Sequence, residues 1–269
     1  MKKIVYIVKG NGDKAEFDEK KLLKSLKNAG AEENIALRVL DKVYPQLYDG
    51  ITTKKIYKIA FKELRNIDNP SASRYQLKWA IMRLGHGLEG FTFEKYVSRI
   101  FENLGYNTRL NVVAKGKNIT HEIDLEIEKD GQRYLVECKH RSKPGVWIHI
   151  QVPLYVYARF LDLNDKYNGA IVVTNARFSK QAIAYASGVG LRLIGWNTKK
   201  QDNLKYLAEK SLVYPITVLK SIDDKCLKKL FNEEIIVVSD LLEKKQIIYK
   251  LFKKQKADKI IDEALKLKK

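Results

Sequence analysis

Two stretches carry the most information about the fold: His121-Glu122-Ile123-Asp124-Leu125-Glu126 and Tyr134-Leu135-Val136-Glu137-Cys138-Lys139. Each stretch reads as a β-strand, and the turn Lys129-Asp130-Gly131-Gln132 between them predicts a hairpin. Because side chains alternate faces along a strand, Glu137 and Lys139 share one face, and Asp124 can face them from the neighbouring strand. Pairing the two strands therefore gathers Asp124, Glu137 and Lys139 at one place.

These three side chains suggest a particular chemistry. Two carboxylates hold a hard divalent cation through oxygen. A lysine beside them can stabilise an anion or help to activate a water molecule. The sequence thus predicts a site that hydrolyses a phosphodiester. The alternative is that the same charges lie on the solvated face of an ordinary hairpin.

The composition of the chain limits which binding partners and which cellular compartment are expected. The chain has 269 residues and a formal net charge of +19, which favours a polyanionic partner, although a lysine-rich solvated surface would give the same total. We find no apolar run near the roughly 20 residues that span a bilayer, so no membrane is expected. The two cysteines lie far apart and make no disulfide framework, which indicates a cytoplasmic protein.

The pattern along the chain predicts three regions. Residues 1–88 read as a small β-hairpin with four helices, and the glycine-rich segment 85–90 ends this region. Residues 89–198 alternate helices and strands, which predicts an α/β domain with a mixed sheet. Residues 199–269 form a linker and a lysine-rich helical region, with the polar segment 197–210 as the linker. The fold class is therefore a multidomain α+β and α/β chain.

Within the central region the element boundaries follow from local signals. A helix is expected over residues 91–104 because apolar residues recur there at helical spacing, and Gly105 suits the position after its end. A second helix is expected over about 147–161, with Pro153 in its first turn or at a kink. Ser179 is placed to cap a third helix, and residues 169–174 and 191–194 read as strands.

The central region resembles the PD-(D/E)xK restriction-endonuclease-like superfamily, in its Mrr-type branch, over about residues 90–196. Asp124 matches the aspartate of the family motif, and Glu137-Cys138-Lys139 matches the (D/E)xK element. The run from Gly169 to Ser179 is similar to the second half of the Mrr-type domain. The resemblance implies a restriction-endonuclease-like fold and a DNA endonuclease activity.

The same resemblance implies roles for individual residues. Asp124, Glu137 and Lys139 would be catalytic, joined by Glu94 on the opening helix and Gln151 on a later helix. The metal ligands would be Asp124, Glu137, Glu94 and the backbone carbonyl of Cys138. Oxygen ligands favour Mg²⁺ or Mn²⁺ over Zn²⁺.

The N-terminal region resembles the ATP-cone, a nucleotide-binding regulatory module, over about residues 3–85. The hairpin Val8-Lys9-Gly10-Asn11-Gly12 carries the likeness, together with Phe17, Lys21 and Ile51-Thr52-Thr53. The resemblance implies that ATP or dATP binds here. Lys9 and Lys21 would contact phosphates, Val8 would line the base pocket, and Thr53 would be a further contact.

The C-terminal residues 214–242 resemble a helix-hairpin-helix DNA-binding module. Its core would comprise Ile222, Leu227, Leu230, Val238 and Leu242. The combined expectation is a metal-dependent DNA endonuclease regulated by nucleotide, acting as a homodimer or larger homo-oligomer because two strands need two active sites. A nucleotide-sensing DNA-binding protein with an inactive nuclease fold remains the alternative.

Overall fold

A computed structural model describes residues 4–9, 12–27, 29–68, 71–72, 75–86, 92–196, 198–199 and 201–268. These residues form two compact units, one ending at Leu77 and the other running from Lys78 to Lys268. The predicted boundary segment 85–90 lies largely outside the described residues. The described helices include none that is long and apolar enough to cross a membrane.

The first unit combines a small sheet with helices. Its elements are β1 (Tyr6–Val8), β2 (Lys14–Glu16), α1 (Glu19–Lys27), α2 (Glu33–Val43), β3 (Ile51–Thr52) and α3 (Thr53–Ile67). Strand β1 is central, antiparallel to β2 and parallel to β3. The predicted hairpin is thus part of a three-stranded sheet, whose third strand the sequence did not reveal. Gly10 and Asn11 of the hairpin segment quoted above lie outside the described residues.

Side-chain caps fix where the helices of this unit begin. Asp18 accepts a hydrogen bond from the backbone N–H of Lys21 at 3.2 Å, which is the bond that a helix N-cap makes. Thr52 accepts one from the backbone N–H of Lys55 at 3.2 Å and so caps α3. The apolar faces of these helices meet the sheet in one core, which includes Leu26, Val39, Leu40, Ile51 and Leu64.

The second unit contains a five-stranded mixed sheet. Its first elements are α4 (Leu77–Arg83), α5 (Thr92–Asn103), β4 (Asn107–Lys115), β5 (Thr120–Lys129), β6 (Gln132–Lys139), β7 (Trp147–Ile148), α6 (Gln151–Asp162), β8 (Gly169–Thr174), β9 (Arg177–Phe178), α7 (Lys180–Gly188) and β10 (Arg192–Ile194). The strand order is β10-β8-β6-β5-β4. The pairs β4–β5 and β5–β6 are antiparallel, whereas β6–β8 and β8–β10 are parallel. This is the predicted mixed α/β sheet.

Local signals in the sequence explain several of these boundaries. Asp130 and Gly131 both have positive φ, 51° and 73°, as a two-residue type I′ hairpin needs, and Lys129 pairs with Gln132. Gly105 has φ 84° and ends α5. The Ser179 side chain accepts from the backbone N–H of Ala182 at 3.1 Å and caps α7.

The predicted helix over 147–161 is wrong at its start. Helix α6 begins at Gln151, which places Pro153 in its first turn, where a missing N–H costs no intrahelical bond. Residues 147–148 instead form β7, which pairs in parallel with β9. The pattern Trp147-Ile148 is apolar in either conformation, so periodicity alone did not separate them.

The C-terminal part is helical, as predicted. It contains α8 (Leu204–Lys210), α9 (Asp224–Asn232), α10 (Val238–Glu243), α11 (Lys245–Leu251) and α12 (Lys254–Lys268). The expected linker over 197–210 is wrong, because α8 buries Leu204, Leu207 and Ala208. The Tyr96 hydroxyl of α5 donates to the carbonyl of Val213 at 3.1 Å, so this part packs on the sheet domain.

Candidate active site and nucleotide pocket

The candidate active site lies where strands β5 and β6 separate. Their paired register ends at Leu125 and Val136, one residue short of Asp124 and Glu137. Beyond that point the Asp124 side chain takes over from the backbone, because its Oδ2 accepts the N–H of Cys138 at 2.7 Å. The separation therefore turns the Asp124 carboxylate towards the segment Glu137-Cys138-Lys139, as the sequence predicted.

Glu137 is the most heavily bonded group of the site. It is 3% exposed, and its Oε1 receives the Lys139 ammonium at 2.5 Å and the Tyr155 hydroxyl at 2.7 Å. Its Oε2 accepts from the Arg159 guanidinium at 2.5 Å. Burial acts to raise the pKa of Glu137, but the bonds from Lys139 and Tyr155 outweigh it and lower that pKa. Glu137 is therefore ionised.

Glu94 approaches this cluster from helix α5. Its Oε2 is buried and has no hydrogen-bond partner. Burial, with repulsion from Asp124 and Glu137, raises the pKa of Glu94 to about 7. Burial and Glu137 likewise raise the pKa of Asp124. The structure thus brings together Glu94, Asp124, Glu137 and Lys139, four of the five residues predicted to be catalytic.

Two side chains of the candidate site were not predicted from the sequence. Tyr155 and Arg159 both contact Glu137 from helix α6. They lie four and eight residues after Gln151, the exposed first residue of α6, and residues four apart share a helical face. That spacing was the available signal. It places Gln151 at the end of the face that meets Glu137.

The donor chemistry of this cluster suits a hard divalent cation. It offers carboxylate oxygens, including the buried and unpartnered Oε2 of Glu94, and no sulfur ligand needs to take part. Across the residues that the structure describes, no three His, Cys, Asp or Glu side chains stand close enough together to hold a metal ion. Lys139, Tyr155 and Arg159 bond to the two Glu137 oxygens. A cation would have to replace part of these contacts.

Cys138 lies on the side of strand β6 away from solvent. Its side chain is buried, and burial raises the pKa of its thiol well above the usual value. The thiol therefore stays protonated and is a poor metal ligand or nucleophile. The predicted role of Cys138 involves only its backbone carbonyl.

Strand β8 holds the end of β6 in place. The Thr174 hydroxyl donates to the carbonyl of Lys139 at 2.6 Å. The buried Asn175 side chain accepts from the Arg141 N–H and donates to the Arg141 carbonyl, each at 2.8 Å. These bonds fix the chain immediately after the lysine of the site.

The first unit contains a pocket at the predicted nucleotide residues. The cavity has a volume of about 230 Å³, and Lys9, Lys21 and Thr53 all line it. The remaining lining is largely apolar and aromatic, including the stacked rings of Tyr57 and Tyr75, whose centroids are 4.9 Å apart. Lysines around an apolar slot match the phosphates and base of a nucleotide.

One residue of the predicted set falls elsewhere. Val8 does not line this cavity in the described part of the unit, whereas Ile7 does. Neighbouring residues on a strand face opposite sides, so only one of the two can reach the slot. The Lys21 ammonium is paired with Asp18 at 3.1 Å on a highly exposed surface, and a phosphate would compete with this weak contact.

Comparison with known families agrees with this architecture. An ATP cone domain model matches residues 5–83, a restriction endonuclease model of the Mrr catalytic type matches residues 86–199, and an AF1548-like C-terminal model matches residues 214–267. The chain thus contains an ATP-cone domain and a restriction-endonuclease-like domain of the Mrr type, as the resemblances implied. The family found at the C-terminus is the AF1548-like one, and the helix-hairpin-helix likeness stays a prediction.

A similar sequence and a similar solved structure define the family of the chain more narrowly. It is 35% identical over 147 residues to an uncharacterized protein of Archaeoglobus fulgidus, which covers 54% of this chain and 83% of that protein. The crystal structure of a protein of unknown function, AF1548, has 32% identity and a TM-score of 0.58, covering 66% of this chain and 97% of that one. The chain therefore belongs to the AF1548-like family of proteins with a restriction-endonuclease-like domain.

Proposed function

We propose that this protein is a metal-dependent DNA endonuclease that hydrolyses phosphodiester bonds and is regulated by ATP or dATP. The observation that carries the proposal is the buried, unpartnered oxygen of Glu94 against Asp124 and Glu137. Glu94 lies within electrostatic range of Asp124 and Glu137, and a buried, unpartnered carboxylate oxygen beside further negative charge is costly unless a cation compensates for it. Mg²⁺ or Mn²⁺ is the cation proposed, and the cytoplasm is the proposed compartment.

Asp124, Glu137, Glu94 and the Cys138 carbonyl would hold the metal, which would supply Lewis-acid stabilisation of the phosphate and lower the pKa of a water. Side chains of the protein would supply the remaining functions. Lys139, which is paired with Glu137 in the structure, would be released to orient the attacking water and to stabilise the charge that develops on the phosphate. Tyr155 and Arg159 keep Glu137 in position. The product would carry a 5′-phosphate.

The DNA would be held by the surface of a chain whose net charge is +19. Contacts of lysines with phosphates release counterions, so cleavage should fall steeply as salt rises. Cutting both strands needs two sites, and we therefore propose a homodimer or larger homo-oligomer. Nucleotide in the pocket of the first unit would change assembly or access to DNA, which is coupling between two sites.

The test compares wild type with Asp124→Asn and with Glu122→Gln. Asparagine keeps an oxygen that can accept the Cys138 N–H, so the strand contact survives while the charge is lost. Glu122 is exposed two residues away on the same strand and is the matched control. Each protein is incubated with plasmid, linear and branched DNA in Mg²⁺ and in Mn²⁺, with and without ATP or dATP.

The proposal expects cleavage by wild type and Glu122→Gln, loss of at least about 100-fold in Asp124→Asn, and a change on adding nucleotide. Mn²⁺ should also raise the thermal midpoint of wild type more than that of Asp124→Asn. Equal residual cleavage in all three proteins would contradict a nuclease site at Asp124.

A second candidate function rests on the bonds to Glu137. Both of its oxygens are already engaged by Lys139, Tyr155 and Arg159. If these bonds persist when metal is added, the chain would be a nucleotide-sensing DNA-binding protein with an inactive nuclease fold. DNA binding without cleavage under every condition above, and without a metal-dependent rise in the thermal midpoint, would favour this reading.

A further inference from the structure

Strands β7 and β9 form a small platform beside the candidate active site. Trp147 is in register with Arg177, and Ile148 with Phe178. Partners in register on parallel strands point to the same face, and Ile148 and Phe178 are buried in the core. The other face therefore presents Trp147, which is 43% exposed, next to the exposed Arg177.

The platform lies at the edge of the sheet where the site residues emerge. Strand β7 follows β6 and strand β9 follows β8, and β6 and β8 run parallel with Lys139 in register with Thr174. Their following loops thus leave from the same edge of the sheet. Asn175 ties these loops together through the backbone of Arg141. A substrate phosphate at Lys139 would therefore have Trp147 and Arg177 on the adjoining surface.

The charge of these loops favours a nucleic acid over other partners. The sequence has no Asp or Glu between Glu137 and Asp162, and none from Lys166 to Gln201. Arg141, Lys143, Arg177 and Lys180 lie in these segments. Burial, and next the positive charge of Arg177, lower the pKa of Lys78, so a further cation lies close to the platform.

A half-exposed aromatic ring on such a basic surface offers a flat face to a ligand. The phosphates of a duplex form ion pairs and hydrogen bonds with lysine and arginine, and an indole ring adds little to their binding. An unpaired base has a free π-face, and stacking of such a base on an aromatic side chain is the usual means of holding single-stranded nucleic acid. Arg177 beside the ring would hold the neighbouring phosphate.

We propose that Trp147 and Arg177 bind an unpaired nucleotide next to the bond that is cut, so that the substrate class is DNA with a single-stranded segment such as an overhang, flap or branch. The inference rests on the proposed nuclease function and deepens it. Trp147 is a specificity-determining residue in this scheme, and the cleavage chemistry remains with Asp124, Glu137 and Lys139.

The test measures binding without cleavage. In the Asp124→Asn background, Trp147→Leu removes the ring but keeps an apolar side chain, and Trp147→Phe keeps a ring that can stack. Each full-length protein is titrated, by fluorescence anisotropy, into three labelled DNAs of equal length: a blunt duplex, a duplex with a single-stranded overhang, and a single strand.

We expect Trp147→Leu to bind the overhang and the single strand about 5- to 100-fold more weakly, with duplex binding unchanged, and Trp147→Phe to recover most of the loss. Equal weakening on all three DNAs, or no weakening on any, would overturn the inference. If the inference fails in this way, the nuclease proposal is tested separately. Cleavage by the Trp147→Leu single variant, together with no cleavage by the Asp124→Asn variants, would leave that proposal standing. Absence of binding to every DNA by the Trp147-containing protein would overturn both proposals and point to a protein partner for the platform.

Discussion

Replacing Glu94 by glutamine should stabilise the second unit at alkaline pH in the absence of metal. Burial, with repulsion from Asp124, raises the pKa of Glu94 from 4.5 to about 7. A carboxyl whose folded pKa lies above its unfolded value stabilises the fold at low pH, and this contribution is lost as the pH rises through the folded pKa. The free energy of unfolding therefore falls between about pH 4 and pH 7. At about 1.4 kcal/mol for each pKa unit, the fall amounts to roughly 3 kcal/mol.

Glutamine has the same shape but carries no charge, so Glu94→Gln should escape this loss. We expect similar free energies of unfolding for both proteins at pH 4. At pH 8 the free energy of unfolding of the variant should be larger by up to about 3 kcal/mol. Urea unfolding in the presence of a chelator, followed by tryptophan fluorescence, is the assay. All three tryptophans, Trp79, Trp147 and Trp196, lie in the second unit, so the signal reports that unit.

Addition of Mn²⁺ at pH 8 should reduce or reverse this difference in the free energy of unfolding. The cation binds the ionised Glu94 carboxylate more strongly than the neutral amide of the variant. Glu122→Gln, an exposed change on strand β5, serves as the control and should follow wild type at every pH. Parallel pH profiles for wild type and Glu94→Gln would refute the reasoning, since they would mean that Glu94 pays no cost for being charged.

Two further predictions concern stability. Leu204→Ala should destabilise the second unit by about 2–5 kcal/mol, because this side chain is buried in α8, and a change within about 0.5 kcal/mol in urea unfolding would instead indicate a solvated linker. Asp162 accepts hydrogen bonds from Asn118 and His121; burial acts to raise its pKa, but these bonds outweigh it and lower the pKa to about 2. The contribution of Asp162 to the free energy of unfolding should therefore be present above about pH 4 and lost as the pH falls to about 2. The free energy of unfolding of Asp162→Asn should depend less on pH over that range, which acid unfolding would measure.

The sequence predicted best those features that depend on a few adjacent residues. The turn at Asp130-Gly131 and the cap at Ser179 each follow from local backbone and hydrogen-bonding preferences. The gathering of Asp124 and Glu137 followed from strand alternation and a short hairpin. These arguments need no knowledge of what packs against the strands.

The parts that were missed depend on contacts between distant residues. Tyr155 and Arg159 act on Glu137 from 18 and 22 positions away, and only the packing of α6 against the sheet shows this. Helix α8 has just 7 residues, and its apolar positions Leu204, Leu207 and Ala208 stand among polar neighbours, so its periodicity was weak. The third strand of the first unit has two residues and is defined only by its pairing with β1.

The burial of Cys138 has a consequence for how this protein can be observed. Its sulfur sits in the strand that carries Glu137 and Lys139, and it is protonated and shielded in the folded state. A thiol reagent can modify it only when the structure that covers the sulfur opens locally. In a Cys226→Ser background, the rate of that modification therefore reports how readily the structure opens around the strand that carries Glu137 and Lys139.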